Sequence, residues 1–187
     1  MITKGGAIVI AACVYDILEM IGENPKREGL TDTPDRVARF WKEFMEYDPG
    51  NIDTTFTVEN SIDQMVVVGD IPFFSMCEHH LLPFWGKISV GYIARSKVVG
   101  LSKIPRIIQK HAHKLQLQEQ LCQQVATELS ELLGHNDVAI IGTAIHSCMV
   151  MRGIRSDGVM KTSVMWGAFR NEPETRSEFF TLLKEGR

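Results

Sequence analysis

Residues 138–169 read VAIIGTAIHSCMVMRGIRSDGVMKTSVMWGAF. The apolar, β-branched run 138–151 predicts a long strand. Ser156-Asp157-Gly158 predicts a turn, and 161–169 predicts the return strand of a β-hairpin. Immediately upstream, 116–133 carries Leu117, Leu121, Val125, Leu129 and Leu132 on one helical stripe, with Gly134 after its end. A shorter helix is expected over about 102–114. Before it, 87–93 alternates, with Ile88, Val90 and Tyr92 on one face, and 65–69 reads as a strand closed by Asp70 and Pro72. Near the N-terminus, Ile10, Val14, Ile17, Leu18 and Ile21 recur at helical spacing. Thr33-Pro34 opens a second helix, with Thr33 as N-cap and Val37, Phe40, Trp41 and Phe44 turned inward. A short helix is expected over 173–183. Two helices, strands, two helices and a hairpin predict an α+β domain with a mostly antiparallel sheet.

The chain has 187 residues, and its hydrophobic fraction of 44% suits an ordinary buried core. Its formal net charge of -3 gives no global basic field, so a nucleic-acid partner is not expected. An anionic ligand would need a local cluster of Lys and Arg. The apolar run 7–13 is soon followed by Asp16 and Glu19 and lacks the features of a signal peptide. No stretch reaches the roughly 18 apolar residues that span a bilayer, so no membrane association is expected. An intracellular, cytoplasmic location follows as an expectation. Its four cysteines (Cys13, Cys77, Cys122 and Cys148) then read as thiols or metal ligands rather than disulfides.

The densest chemistry is Ser75-Met76-Cys77-Glu78-His79-His80, expected on a turn between strands. Spacing alone does not decide between His79 and His80 as a ligand. On a strand, His146 and Cys148 would share a face, so a Cys148 thiolate could complete a site with the first group. Two thiolates and one imidazole suit zinc, and three protein ligands leave the fourth tetrahedral position to water, as in catalytic sites. The bland alternative is that these cysteines are packing material. Cys13 and Cys122 read as core or surface thiols, and His111, His113 and His135 as solvated.

The segment 74–84 (FSMCEHHLLPF) resembles the zinc motif of the GTP cyclohydrolase I family. GLSKIPR at 100–106, LQLQEQL at 115–121 and HSCMVMRG at 146–153 match the same family in the same order. The resemblance runs from about residue 29 to 183. It implies the tunnelling fold (T-fold): an antiparallel sheet with a helix pair on one face, here with an N-terminal helical extension. The chain would divide into an N-terminal helical region, 1–62, and a T-fold catalytic domain, 63–187. The family assembles as a homodecamer with sites between subunits.

The resemblance further implies Cys77, His80 and Cys148 as ligands of Zn2+, and His79 and His146 as catalytic groups beside the metal. Glu119 would hold the guanine edge of GTP with Gln118 beside it. A carboxylate accepts from the ring N–H and the amino group together, much as it does from Arg. Ser102, Lys103, Arg106 and Arg152 are assigned to phosphates or ribose, and Arg36 and Arg39 would reach the phosphates from a neighbouring subunit. Arg152, read as ending the strand of Cys148 with the same parity, would face the same pocket. The implied reaction opens the imidazole ring of guanine, releases formate and yields 7,8-dihydroneopterin triphosphate.

Three departures from the family pattern stand out. Thr143 replaces a frequent Glu three residues before His146. His113-Lys114 replaces Arg-Arg, and Trp85 and Trp166 stand where smaller residues are common. A nitrile-reducing relative would need a nucleophilic Cys on its own motif and a nicotinamide cofactor, but no dinucleotide fingerprint is present. A nucleobase deaminase would need H-x-E with P-C-x-x-C, which is also absent. A zinc-stabilised scaffold is the non-enzymatic rival, separated by an assay for formate.

Overall fold

The computed structural model describes residues 2–59 and 63–185, which fall into two compact units meeting at Asp48/Pro49. The first unit holds α1 (Lys4–Met20) and α2 (Thr33–Met45), packed on each other. Thr3 caps α1 by accepting from the Gly6 amide. In α2 the cap position falls on Asp32 rather than Thr33, which moves Pro34 within the first turn, where its missing N–H costs nothing. Phe44 is buried as expected, but Phe40 is 44% exposed and stacks along the helix surface on Phe44.

The second unit is α+β. Its elements are β1 (Thr55–Thr57), β2 (Gln64–Cys77), β3 (Pro83–Ala94), β4 (Lys97–Val99), α3 (Lys103–Ala112), β5 (Leu115–Gln116), α4 (Gln118–Leu133), β6 (Val138–His146), α5 (Ser147–Val150), β7 (Met160–Met165), α6 (Ala168–Asn171) and α7 (Pro173–Glu185). The main sheet runs β5-β2-β3-β6-β7. Every pairing in it is antiparallel except the short parallel β5-β2 contact, and β1 pairs with β4 apart from it.

Pleating sorts the side chains. Ile88, Val90 and Tyr92 of β3, with Val138 and Ile140 of β6, share one core with Ile104, Ile107 and Ile108 of α3 and Leu121, Val125 and Leu129 of α4. Each such large side chain, fully buried, contributes about 1.5–3 kcal/mol of transfer free energy. The alternate residues Ile93, Ala139 and Met165 meet Phe169 and Phe179 on the other face. The helix pair α3/α4 thus covers one face, and α7 packs on the other.

Two expectations from sequence need correction. Asp70 and Pro72 do not end β2: the register shifts between Val68 and Ile71, with Asp70 at φ 56. This bulge flips the parity of the strand. Val66 and Val68 face the α3/α4 core before it, and Ile71 and Phe73 do so after it, so one strand serves one core along its whole length. The run 138–151 is also not one strand, because β6 stops at His146 and the chain turns helical through Ser147–Val150.

The histidines read as solvated are largely enclosed. His111 is 14% exposed at its side chain, and its Nε2 lies 2.6 Å from Glu128, which also binds Lys110 at 2.8 Å. These contacts tie α3 to α4. Burial lowers the pKa of His111, outweighing the Glu128 carboxylate that raises it, and Lys114 and Lys110 lower it further. His135 is lowered by burial as well, against the pull of Asp137.

A lowered imidazole pKa means that the unfolded chain takes up protons first as the medium acidifies. This contribution to stability is present above the unfolded value of about 6.5 and is lost as pH falls through the folded value. The melting temperature is expected to fall between pH 7.5 and 5.5, and to fall less in His111→Gln. A drop of equal depth in that variant would contradict the assignment.

Candidate metal centre and active site

Four chain segments converge at one end of the sheet. β2 ends on Cys77, and a turn through Glu78–Leu82 leads into β3. The turn is closed by backbone bonds from the Cys77 amide to the Leu82 carbonyl and from the Leu81 amide to the Cys77 carbonyl, both 2.9 Å. Leu81 takes φ 53 to close it, a left-handed conformation that is costly for a residue with a branched side chain. β6 ends on His146, directly opposite Phe84 of β3. β5 pairs Gln116 with Cys77 and delivers the chain to the start of α4, where Gln118 and Glu119 sit.

One ligand atom each from Cys77, His80 and Cys148 lies within 4.8 Å of the other two. The Cys77 Sγ to His80 Nδ1 distance is 3.9 Å. Tetrahedral zinc with bonds of about 2.3 Å to sulfur and 2.0 Å to nitrogen would separate its ligand atoms by roughly 3.5–3.8 Å, so the three residues fit such an ion after small side-chain shifts. Burial and the neighbouring Cys77 sulfur push the Cys148 thiol above its usual pKa, while Arg152 draws it down. A bound dication would hold the two adjacent sulfurs as thiolates. Cys122, by contrast, is buried on the core face of α4 with its pKa pushed up to about 11, an inert packing thiol. Cys13 is exposed in the first unit.

The route by which Cys148 arrives differs from the expected one. It lies in the helical turn α5, not on the strand of His146, so alternation does not bring it to the site. The Ser147 hydroxyl donates to the Pro83 carbonyl, pinning this turn to the start of β3 beside the Cys77–His80 turn. Arg152 likewise lies beyond α5 and is exposed, so the parity argument does not apply to it, although its charge is felt at Cys148.

His79 points outward, with its side chain 63% exposed and its Nε2 3.9 Å from Glu78. His146 is half-buried. Its ring stacks on Phe84, with centroids 4.6 Å apart and planes 5° from parallel, and its Nε2 is 2.9 Å from Gln118 Oε1. Burial lowers the His146 pKa, partly countered by the Glu119 carboxylate. Glu119 is exposed at the start of α4, whereas Gln118 is buried, its amide nitrogen turned into the sheet toward Thr162, Gly142 and Met160.

Ser102 occupies the cap position of α3. Lys103 donates to the Asn51 carbonyl at 3.0 Å, and Arg106 donates to the Pro49 carbonyl, both in the second unit. Arg36 pairs with Asp32 at 3.2 Å on the surface of the first unit, and Arg39 is exposed there. Thr143 lies across the sheet from the His146 side. It lines a cavity of about 850 Å³ on the opposite face with Trp85, Lys87, Lys161 and Phe180, so it supports none of the candidate ligands.

Sequence reasoning missed Phe84 as the platform for His146, and Ser147 and Thr162 as supporting hydroxyls. Thr162 had a usable signal: it sits on the face of the return strand that points at the helix pair, directly opposite Gly142.

The family model described as GTP cyclohydrolase I matches residues 10–184. A protein of Campylobacter lari named GTP cyclohydrolase 1 is 46% identical over 178 residues, covering 93% of this chain and 94% of its own length. One of the same name from Sulfurihydrogenibium is 48% identical over 167 residues, with 89% of each chain covered. Another, from Chlorobaculum tepidum, is 46% identical over 174 residues, covering 91% of this chain and 78% of its own.

Proposed function

The chain belongs to the GTP cyclohydrolase I family, and from that premise we propose how its residues divide the reaction. The enzyme hydrolyses the imidazole ring of guanine in GTP, releases formate and yields 7,8-dihydroneopterin triphosphate. The observation that carries the residue assignment is the meeting of Cys77, His80 and Cys148 beside His146 and the start of α4.

In this reading Cys77, His80 and Cys148 hold Zn2+, which when bound would supply Lewis-acid activation of a water at neutral pH. Glu119 stands exposed at the helix start, and its carboxylate accepts from the guanine N1–H and 2-amino group together, which fixes the purine edge. Ser102, Lys103, Arg106 and Arg152 take the triphosphate and ribose. The cations among them replace the global field that a net charge of -3 does not supply. Arg36 and Arg39 reach the phosphates from a neighbouring subunit of a homodecamer. His146, whose pKa is lowered by burial, takes a proton as water adds to the carbon between the two imidazole nitrogens, and returns it as the ring C–N bond breaks. The formamide so formed is hydrolysed to formate, and His79, at the open rim, exchanges protons with solvent. The freed amine then closes onto the rearranged ribose. The catalytic domain is the T-fold, 63–187, with 1–62 as the N-terminal region, acting in the cytoplasm.

Purified protein given GTP is expected to release formate and develop pterin absorbance. Zinc retention without turnover would leave a scaffold instead. Glu119→Gln keeps the size of the side chain but turns an N–H group toward two donors. It is expected to lower kcat/KM for GTP by at least about tenfold with zinc content unchanged. Undiminished kcat/KM in that variant would remove Glu119 from the purine site.

A further inference from the structure

We propose that Gln118 is a positioning residue that fixes the proton of His146 on Nε2, locked by Thr162, rather than a group that binds the purine. The inference deepens the reading above and rests on His146 acting in proton transfer.

The Gln118 side chain is 1% exposed at residue level. Its amide nitrogen lies 2.6 Å from Thr162 Oγ1, 3.1 Å from the Gly142 carbonyl and 3.3 Å from the Met160 carbonyl. Two of these three partners only accept, so the amide is oriented by chemistry: the nitrogen must face them and the oxygen must face away. That oxygen lies 2.9 Å from His146 Nε2, and because a carbonyl oxygen only accepts, Nε2 must carry the hydrogen. Nδ1 is then the atom left to accept and return a proton.

Phe84 stacks flat against the ring, with centroids 4.6 Å apart, and holds its plane. Room for this arrangement comes from Gly142, which pairs with Thr162 across β6 and β7. A Cβ there would come within 2.7 Å of Cys122 Sγ and 3.5 Å of the Gln118 amide nitrogen. Thr162 makes the shortest of the three bonds and, with Met160, brings β7 to the amide, where α4, β6 and β7 meet.

A purine ligand and a positioning residue leave different kinetic signatures. Loss of a ground-state contact raises KM, whereas loss of the correct tautomer lowers kcat. In the zinc-loaded enzyme, Gln118→Met is expected to lower kcat at least about tenfold with KM for GTP changed by less than about twofold. Thr162→Val, which leaves Gln118 in place, is expected to lower kcat in the same direction by a smaller factor, and Thr162→Ser to restore it. With histidine rings labelled with nitrogen-15 and the His146 signals identified by their absence in His146→Ala, the wild type is expected to show the hydrogen on Nε2. Gln118→Met is expected to show a mixture, and Thr162→Val to keep most of the hydrogen on Nε2, because the Gly142 and Met160 carbonyls still orient the amide. A raised KM at unchanged kcat in Gln118→Met, or a wild-type hydrogen on Nδ1, would overturn the proposal. Full turnover in His146→Ala would instead sink the reading of His146. Loss there, with Gln118→Met and Thr162→Val both unaffected, would sink this inference alone.

Discussion

Cys148→Ala is expected to lose bound zinc and, with it, formate release from GTP by roughly three orders of magnitude or more. The variant removes one of three side chains whose ligand atoms lie within 4.8 Å of one another, leaving one thiolate and one imidazole from a single turn. Two ligands from one turn make a weak site, because the third is what closes the geometry across the chain. The fold is expected to survive. Cys148 is half-buried in a short helical turn, and the core between the sheet and α3/α4 is built from other residues. Zinc content and formate release should therefore fall together while the melting temperature of the metal-free proteins stays close. Full activity in metal-depleted Cys148→Ala would refute the assigned site.

His146→Ala should separate chemistry from metal binding. The imidazole lies outside the three-ligand cluster, with Nε2 committed to Gln118 and the ring stacked on Phe84. Zinc is expected to stay, and kcat to fall by about a hundredfold to ten-thousandfold, the range that general acid–base groups supply. Zinc near zero in this variant would make His146 a ligand and would displace one of the three assigned residues.

Much of this site was legible because it is built from short local patterns. Cys77 and His80 sit three residues apart at the end of a strand, and a turn there brings them within 3.9 Å of each other. The α4 stripe of Leu121, Val125 and Leu129 has the helical period and is buried as that period requires. What stayed hidden depends on contacts between distant segments. Cys148 comes within reach of Cys77 and His80 by a route other than the expected one: a helical turn pinned by Ser147 to Pro83 carries it there, and no alternation pattern encodes that bond. The bulge at Asp70 looked like a strand end because Asp and Pro are strand breakers. Antiparallel pairing with β3 resumes at Ile71 and overrides both. His111 looked solvated beside Lys110, yet Glu128 from another helix encloses it. The burial of the Gln118 amide was equally invisible, since its partners lie 24 and more residues away.

The most direct measurement is X-ray absorption at the zinc edge of the purified, active enzyme. Two sulfurs at about 2.3 Å and one imidazole nitrogen near 2.0 Å, with a lighter fourth neighbour, is the expected shell. A shell without sulfur, or with one sulfur only, would mean that Cys77 and Cys148 do not hold a common ion.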